Sequence, residues 1–214
     1  EIVDEFIHQL RNRNVIFRLG EAVSRLEVRN GSEQSPQKAV IHLESGKHIV
    51  SETVLFSVGR VGATDSLNIA AAGLTADDRG RIAVDAMFRS AVPHIFAVGD
   101  VIGFPSLAAT SSEQGRLAAC CALGITCSPM PAHYPVGIYA IPEISMVGAT
   151  EQELTKQKVP YEIGEARYRE IARGKILRDD TGFFKMLFHQ DTRALLGVHI
   201  IGTGATDLIH IGQA

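Results

Sequence analysis

The stretch His94-Ile95-Phe96-Ala97-Val98-Gly99-Asp100 decides how this chain is read. It is a short apolar run that stops at Gly-Asp, the pattern of a buried strand in a parallel sheet. Ligands collect at the carboxyl ends of such strands. Gly99 has no Cβ, so a ligand can come close to the backbone there. Asp100 adds a carboxylate, which accepts hydrogen bonds from sugar hydroxyls and repels phosphate. The chemistry favoured at this point is the binding of a polyol or ribose. A Gly-Asp pair also ends many strands in an ordinary turn, so the decision rests on what surrounds it.

Upstream, Thr53-Val54-Leu55-Phe56-Ser57-Val58 is a second apolar run, ending in Gly59-Arg60. Between the two runs lie Leu67 to Leu74, a polar turn from Thr75 to Arg81, and a short edge strand, Ile82 to Asp85. Near the start, Ile2, Phe6 and Leu10 recur four apart and give residues 1–13 one apolar helical face. Asn14 to Leu19 reads as a strand. Ala22–Val28, Ala39–Leu43 and His48–Val50 follow as an antiparallel meander, with turns at Asn30-Gly31 and Ser45-Gly46.

Downstream of Asp100, a loop through Phe104-Pro105-Ser106-Leu107 leads into a helix from about Ala108 to Leu123. Thr110 with Glu113 has the spacing of a capping box. Gly115, Ala118, Ala119 and Ala122 keep one side of this helix narrow, suited to close packing on a sheet or a flat ligand. Composition shifts at the linker Ser128-Pro129-Met130-Pro131. Beyond it the pattern predicts strands at Gly137–Ile141 and Ile144–Val147 and a helix at Thr150–Gln157, with Thr150 and Glu153 as a second capping box. Strands at Tyr161–Tyr168, Phe183–His189 and Leu195–Ile201 and a helix from Thr206 complete an α+β unit.

The chain has 214 residues, 45% hydrophobic and 21% charged, the balance of a globular protein. A net charge of −3 supplies no electrostatic case for nucleic acid or an anionic membrane. No apolar run approaches the ~18–20 residues that span a bilayer. Three cysteines form no disulfide framework and fit a reducing, cytoplasmic compartment. Cys120 and Cys121 sit among small helical residues and read as packing. The eight histidines are scattered, and none makes a metal pair at helical or hairpin spacing. Both ends look cut, which predicts an interior piece of a longer protein.

In order and spacing, these segments resemble the C-terminal half of the pyridine nucleotide-disulfide oxidoreductase family, flavoproteins that bind two dinucleotides. Thr53 to Arg60 resembles the strand that leaves the NAD(P) domain. Ile95 to Asp100 resembles the family's second FAD motif. Pro105-Ser106-Leu107-Ala108 with Glu113-Gln114-Gly115-Arg116 resembles the loop and helix beneath the flavin. Ile141-Pro142-Glu143-Ile144-Ser145-Met146-Val147-Gly148 and Leu196-Gly197-Val198-His199-Ile200-Ile201-Gly202 resemble the dimer-interface domain.

The resemblance implies an α/β chain in three parts. Residues 1–60 end a Rossmann-like NAD(P) domain, residues 61–132 are the second part of the FAD domain, and residues 133–214 form an α+β dimerisation domain. It implies FAD as cofactor, nicotinamide dinucleotides as substrates and a homo-oligomer formed through residues 133–214. Gly99 and Asp100 would hold the ribityl hydroxyls. The N–H groups of Leu107, Ala108, Ala109 and Thr110 would face the flavin's pyrimidine edge. Gly59 and Arg60 would lie near the nicotinamide nucleotide, although Arg60 also suits a surface ion pair.

Leu107-Ala108-Ala109 replaces the Leu-Ala-His of disulfide-reducing members, and Ile211 follows His210 where lipoamide dehydrogenases have Glu. Both departures point to members that exchange hydride between NADPH and NAD. Ala63 stands where those members usually carry Asn. A disulfide oxidoreductase, with a Cys-x4-Cys pair upstream, and a non-catalytic flavin-binding or dimerisation module are the alternatives. The 214 residues alone are expected to bind FAD weakly and to be inactive.

Overall fold

A computed structural model describes residues 2–31, 36–131 and 133–214. The chain forms two compact units, residues 11–60 and residues 1–10 together with 61–214.

The smaller unit is the expected meander. Strands β1 (Val23–Arg29), β2 (Lys38–Leu43) and β3 (His48–Ser51) pair antiparallel in that order. The central strand β2 carries the buried residues, Val40 and Leu43. Gly46 closes the β2–β3 turn at φ +83°, donating its N–H to Leu43 O at 3.0 Å. A positive φ costs glycine nothing. The turn expected at Asn30-Gly31 runs into residues 32–35, which lie outside the described residues.

Two expected strands of this unit are absent. Asn14 to Leu19 is irregular, and Thr53 to Val58 pairs with nothing among the described residues. Leu55 is 89% exposed and Phe56 81%. Apolar residues favour burial, but a strand exists only where a neighbour takes its backbone hydrogen bonds. No described strand runs beside this one.

In the larger unit, helix α1 (Ile2–Asn12) contributes its first nine described residues. Residues 61–103 are mostly turns. Gly62 donates to Arg79 O at 2.7 Å, and a Cβ on Gly62 would strike the Gly80 carbonyl. The expected edge strand Ile82–Asp85 is a single bridge from Ile82 to Ala76. The expected strand His94–Val98 is likewise one bridge, Phe96 to Arg89, with Ala97 buried. The reason is again a missing neighbour along the described chain.

Residues 133–214 carry a five-stranded antiparallel sheet in the order β4-β5-β8-β7-β6. Its strands are β4 (Val136–Ile138), β5 (Ile144–Gly148), β6 (Tyr161–Arg167), β7 (Phe183–His189) and β8 (Leu195–Ile201). Counting α2 (Ala108–Ala122), described below, the remaining helices are α3 (Glu151–Gln157), α4 (Ala172–Leu177) and α5 (Ala205–Gln213). Helix α5 packs on β5 and β8, and Val147, Val198, Ile200, Ala205 and Ile209 form the core between them. Strand β4 stops at Ile138, three residues before the expected end. Helix α4 was not expected.

The capping box at α3 is present. Glu153 N–H donates to Thr150 Oγ1 at 3.3 Å, and Thr150 N–H donates to Glu153 Oε2 at 2.8 Å. Thr150→Ala is expected to cost about 1 kcal/mol of stability, measured as a shift in denaturation midpoint.

Met146, His199 and Lys185 stand in one row across β5, β8 and β7. Lys185 is buried and its ammonium pairs with Glu151. His199 Nε2 lies 2.9 Å from Ala149 O, which only accepts, so Nε2 carries the proton. Burial holds the His199 imidazole below its usual value, and the Lys185 charge adds to this.

The native imidazole therefore stays neutral while the unfolded chain takes up a proton below about pH 6.5. Stability is expected to fall as pH drops from about 6.5 towards the lower native value. A His199→Gln variant should lose that part of the slope, which begins as pH falls below about 6.5. The lowered carboxyls of Glu143 and Glu153 add their own loss only below their ordinary range, about 4.3. Denaturant midpoints of the two chains across this window decide it.

Candidate functional site

The Gly99-Asp100 turn is built by the backbone. Val98 arrives extended, at φ −144° and ψ 161°. Gly99 then turns to φ +77° and starts one 3₁₀ turn, Gly99–Ile102, closed by Gly103 N–H donating to Asp100 O at 3.0 Å. Gly99 is buried, while the Asp100 side chain one residue on is exposed. A side chain at Gly99 would be strained by φ and would press on Ser111, whose Oγ and Cβ lie 3.2 and 3.3 Å from its Cβ position.

Ser106, at φ +48°, donates Oγ–H to Gly103 O at 2.8 Å and brings the chain round to α2. The residue that caps α2 is Leu107, extended at φ −118° and ψ 138°, and it offers no side-chain acceptor. The capping box expected at Thr110 and Glu113 is absent. Thr110 lies inside the helix, in the first turn, which is spanned by the hydrogen bond from Ser111 N–H to Leu107 O at 2.8 Å. Glu113 instead takes Arg116 in a two-point pair at 2.6 and 2.9 Å.

The N–H groups of Ala108, Ala109 and Thr110 therefore have neither an intrahelical acceptor nor a side-chain cap. They stand at the positive end of a 15-residue helix, a place that favours negative charge. Leu107 to Thr110 form one wall of a cavity of about 450 Å³, with Tyr134, Tyr139 and Ile209 among the residues opposite. That volume lies in the range of small-molecule sites.

Six of the eight expected site residues, Gly99, Asp100 and Leu107 to Thr110, thus lie in one unit on two elements packed together. Gly59 and Arg60 end the other unit, in an exposed segment outside its described strands, with Gly59 at φ +108°.

One contact was not foreseen. Gln114, 4% exposed, accepts the Gly99 N–H on Oε1 at 2.7 Å. Thr110, Gln114, Leu117 and Ala118 are the buried residues of α2. A lone amide in that stripe was the available signal, because a buried polar side chain needs a partner.

All three cysteines are free thiols. Burial and the neighbouring Cys120 thiol push Cys127 up, the opposite of an activated nucleophile, in keeping with packing. Among the described residues no cluster of three or more His, Cys, Asp or Glu is arranged to hold a metal. No helix among them is long and apolar enough to cross a membrane.

FAD fits this arrangement. An exposed carboxylate on a fixed turn suits sugar hydroxyls, and an uncapped helix terminus at a cavity suits the electron-rich edge of the flavin.

Known proteins resemble this chain along its whole length. A soluble pyridine nucleotide transhydrogenase of Mycobacterium bovis is 52% identical over all 214 residues, which cover 44% of that relative. The protein of the same name from Colwellia psychrerythraea is 45% identical over 215 aligned residues, covering all of this chain and 45% of its own. The chain therefore spans a little under half the length of these curated relatives.

Among solved structures, the HOCl-induced flavoprotein disulfide reductase RclA of Escherichia coli superposes with a TM-score of 0.87 at 24% identity. That match covers 98% of this chain and 47% of RclA. LpdA of Mycobacterium tuberculosis superposes at 0.83 and 22% identity, over 95% of this chain and 43% of its own. Both share the fold. Residues 134–214 match the dimerisation domain of the pyridine nucleotide-disulphide oxidoreductases. Residues 1–115, more than half of the chain, match the oxidoreductase domain that gives this group its name, and the chain belongs to the pyridine nucleotide-disulphide oxidoreductase family.

Proposed function

We propose that this chain is the C-terminal part of a flavoenzyme that passes hydride from NADPH to NAD through bound FAD. In this reading residues 1–60 end the nicotinamide-dinucleotide domain, residues 61–132 hold the flavin and residues 133–214 pair two copies. The observation that carries it is the exposed Asp100 carboxylate, on a turn packed against an uncapped helix N-terminus at a cavity.

FAD, when bound, supplies a ring that accepts and then donates a hydride. The chain's residues position it. Asp100 accepts hydrogen bonds from the ribityl hydroxyls, and Gly99, whose missing Cβ makes room for Ser111 of α2 and not for the ligand expected there, forms the turn that presents it. The N–H groups of Ala108, Ala109 and Thr110 face the pyrimidine edge and stabilise the negative charge that gathers there on reduction. Tyr134, Tyr139 and Ile209 line the cavity. Gly59 and Arg60 lie near the nicotinamide nucleotide. The hydride chemistry would belong to the bound ring, so the demand on the chain is for orientation and electrostatics.

Pairing of two copies is supported by apolar side chains left on the surface of residues 133–214, Tyr139 at 84% and Ile211 at 77% exposed. The high identity to transhydrogenases across the whole chain supports the choice of reaction.

The test is an assay of the intact, FAD-loaded protein with NADPH and a spectroscopically distinct NAD analogue. Hydride exchange without any disulfide substrate is expected. An FAD-loaded protein that reduces a disulfide but exchanges no hydride contradicts the reading.

A further inference from the structure

Gly99 and Gln114 are fifteen residues apart, yet a 2.7 Å hydrogen bond ties the Gly-Asp turn to α2 through them. Gly99 is buried, its N–H with it. Left without an acceptor it would carry a full desolvation cost, so the bond over-determines the turn. The other end of the turn is held too, by Gly103 N–H on Asp100 O at 3.0 Å. Ser111, three residues before Gln114 and on the same side of α2, packs on Gly99 where a side chain would stand. Helix α2 thus grips Gly99 at two points, and the direction in which the Asp100 side chain leaves the backbone is set from α2. The same helix presents the uncapped N–H groups of residues 108–110 six to four residues before Gln114.

We infer that Gln114 is a positioning residue of the flavin site. It fixes the spacing between the carboxylate that takes the ribityl chain and the helix terminus that faces the pyrimidine edge. The inference rests on the flavin reading above and adds what sets that site's affinity and reduction potential. If the two groups are locked together, one FAD molecule engages both at once. If the lock is removed, binding to one loosens the other. The amide is suited to the task because Oε1 accepts from the buried Gly99 N–H.

The experiment uses the intact protein, stripped of FAD and titrated with it, in wild type and three variants. Gln114→Met keeps the side-chain length and removes the acceptor. Gln114→Asn keeps the amide and is one methylene too short. Gln114→Glu keeps an acceptor at the original reach. For Met and Asn, FAD affinity is expected to fall about tenfold, the scale of one lost buried hydrogen bond. The flavin potential should move to lower values, because the helix terminus then stabilises the reduced, more negative ring less well. Glu is expected to return affinity to within about threefold of wild type.

A residue that only helped the fold would lower the melting temperature and leave the loaded flavin's potential unchanged. Folded Met or Asn variants with wild-type affinity and potential overturn the inference while leaving the flavin reading intact. Should Met not fold, Asn against Glu decides by the same two readings. A folded wild-type protein that takes up no FAD overturns both.

Discussion

Asp100→Ala in the intact protein is expected to weaken FAD binding about 10- to 150-fold. A hydrogen bond to a charged acceptor contributes about 1.5–3 kcal/mol, and that range converts to this loss of affinity. The side chain is exposed and lies outside the packed core, so the fold should survive the change. Asp100→Asn keeps one acceptor oxygen and should lose less, about tenfold at most. Reconstitution of the flavin-free protein, followed by flavin fluorescence, measures both. The two variants also separate charge from shape, because Asn has nearly the volume of Asp. An Ala variant that binds FAD as tightly as wild type would remove Asp100 from the site.

The largest expected effect on stability comes from the sheet of the larger unit. Leu187, in β7, is 0% exposed, with β6 and β8 on either side. Its neighbours across the ladder are Ile163 and Gly197. Gly197 can bring no side chain to fill a vacated volume, and a Cβ there would meet the Ala149 carbonyl. Leu187→Ala should therefore leave a cavity that relaxes poorly and cost about 3–5 kcal/mol, towards the upper end for such changes. Chemical denaturation of the chain reads this directly. Leu208→Ala, on the partly exposed side of α5, should cost much less. Similar losses at the two positions would mean that the packing described for this sheet is wrong.

The parts of the fold that could be read from the amino acids are those whose instructions are local. Phe183–His189 and Leu195–Ile201 match β7 and β8 at both ends, because a short turn containing the polar run Gln190 to Arg193 joins them and the strands pair with each other. Thr150 and Glu153 specify a helix start through their own side chains, and the helix starts there. Thr53–Val58 and His94–Val98 were read from apolar composition alone, which speaks for burial and is silent on pairing. Neither finds a neighbouring strand along the described chain. Helix α4, Ala-Arg-Gly-Lys-Ile-Leu, contains a glycine and no apolar period, so periodicity gave no sign of it.

The candidate site divides in the same way. Gly99 stood out by its place after an apolar run, and the structure gives it the positive φ that only glycine adopts without strain. Thr110 was misplaced because an ideal spacing to Glu113 ignored the extended residue that actually precedes the first helical turn, Leu107. The link from Gln114 to Gly99 lay beyond any local pattern. It depends on α2 folding back against the turn, a contact that no spacing rule encodes.

A crystal structure of the intact protein loaded with FAD tests the central claim most directly. The Asp100 carboxylate should lie within 2.6–3.2 Å, hydrogen-bond reach, of a ribityl hydroxyl, with the N–H groups of residues 108–110 turned to the pyrimidine edge. A flavin seated elsewhere, with Asp100 facing only solvent or another side chain, would contradict it.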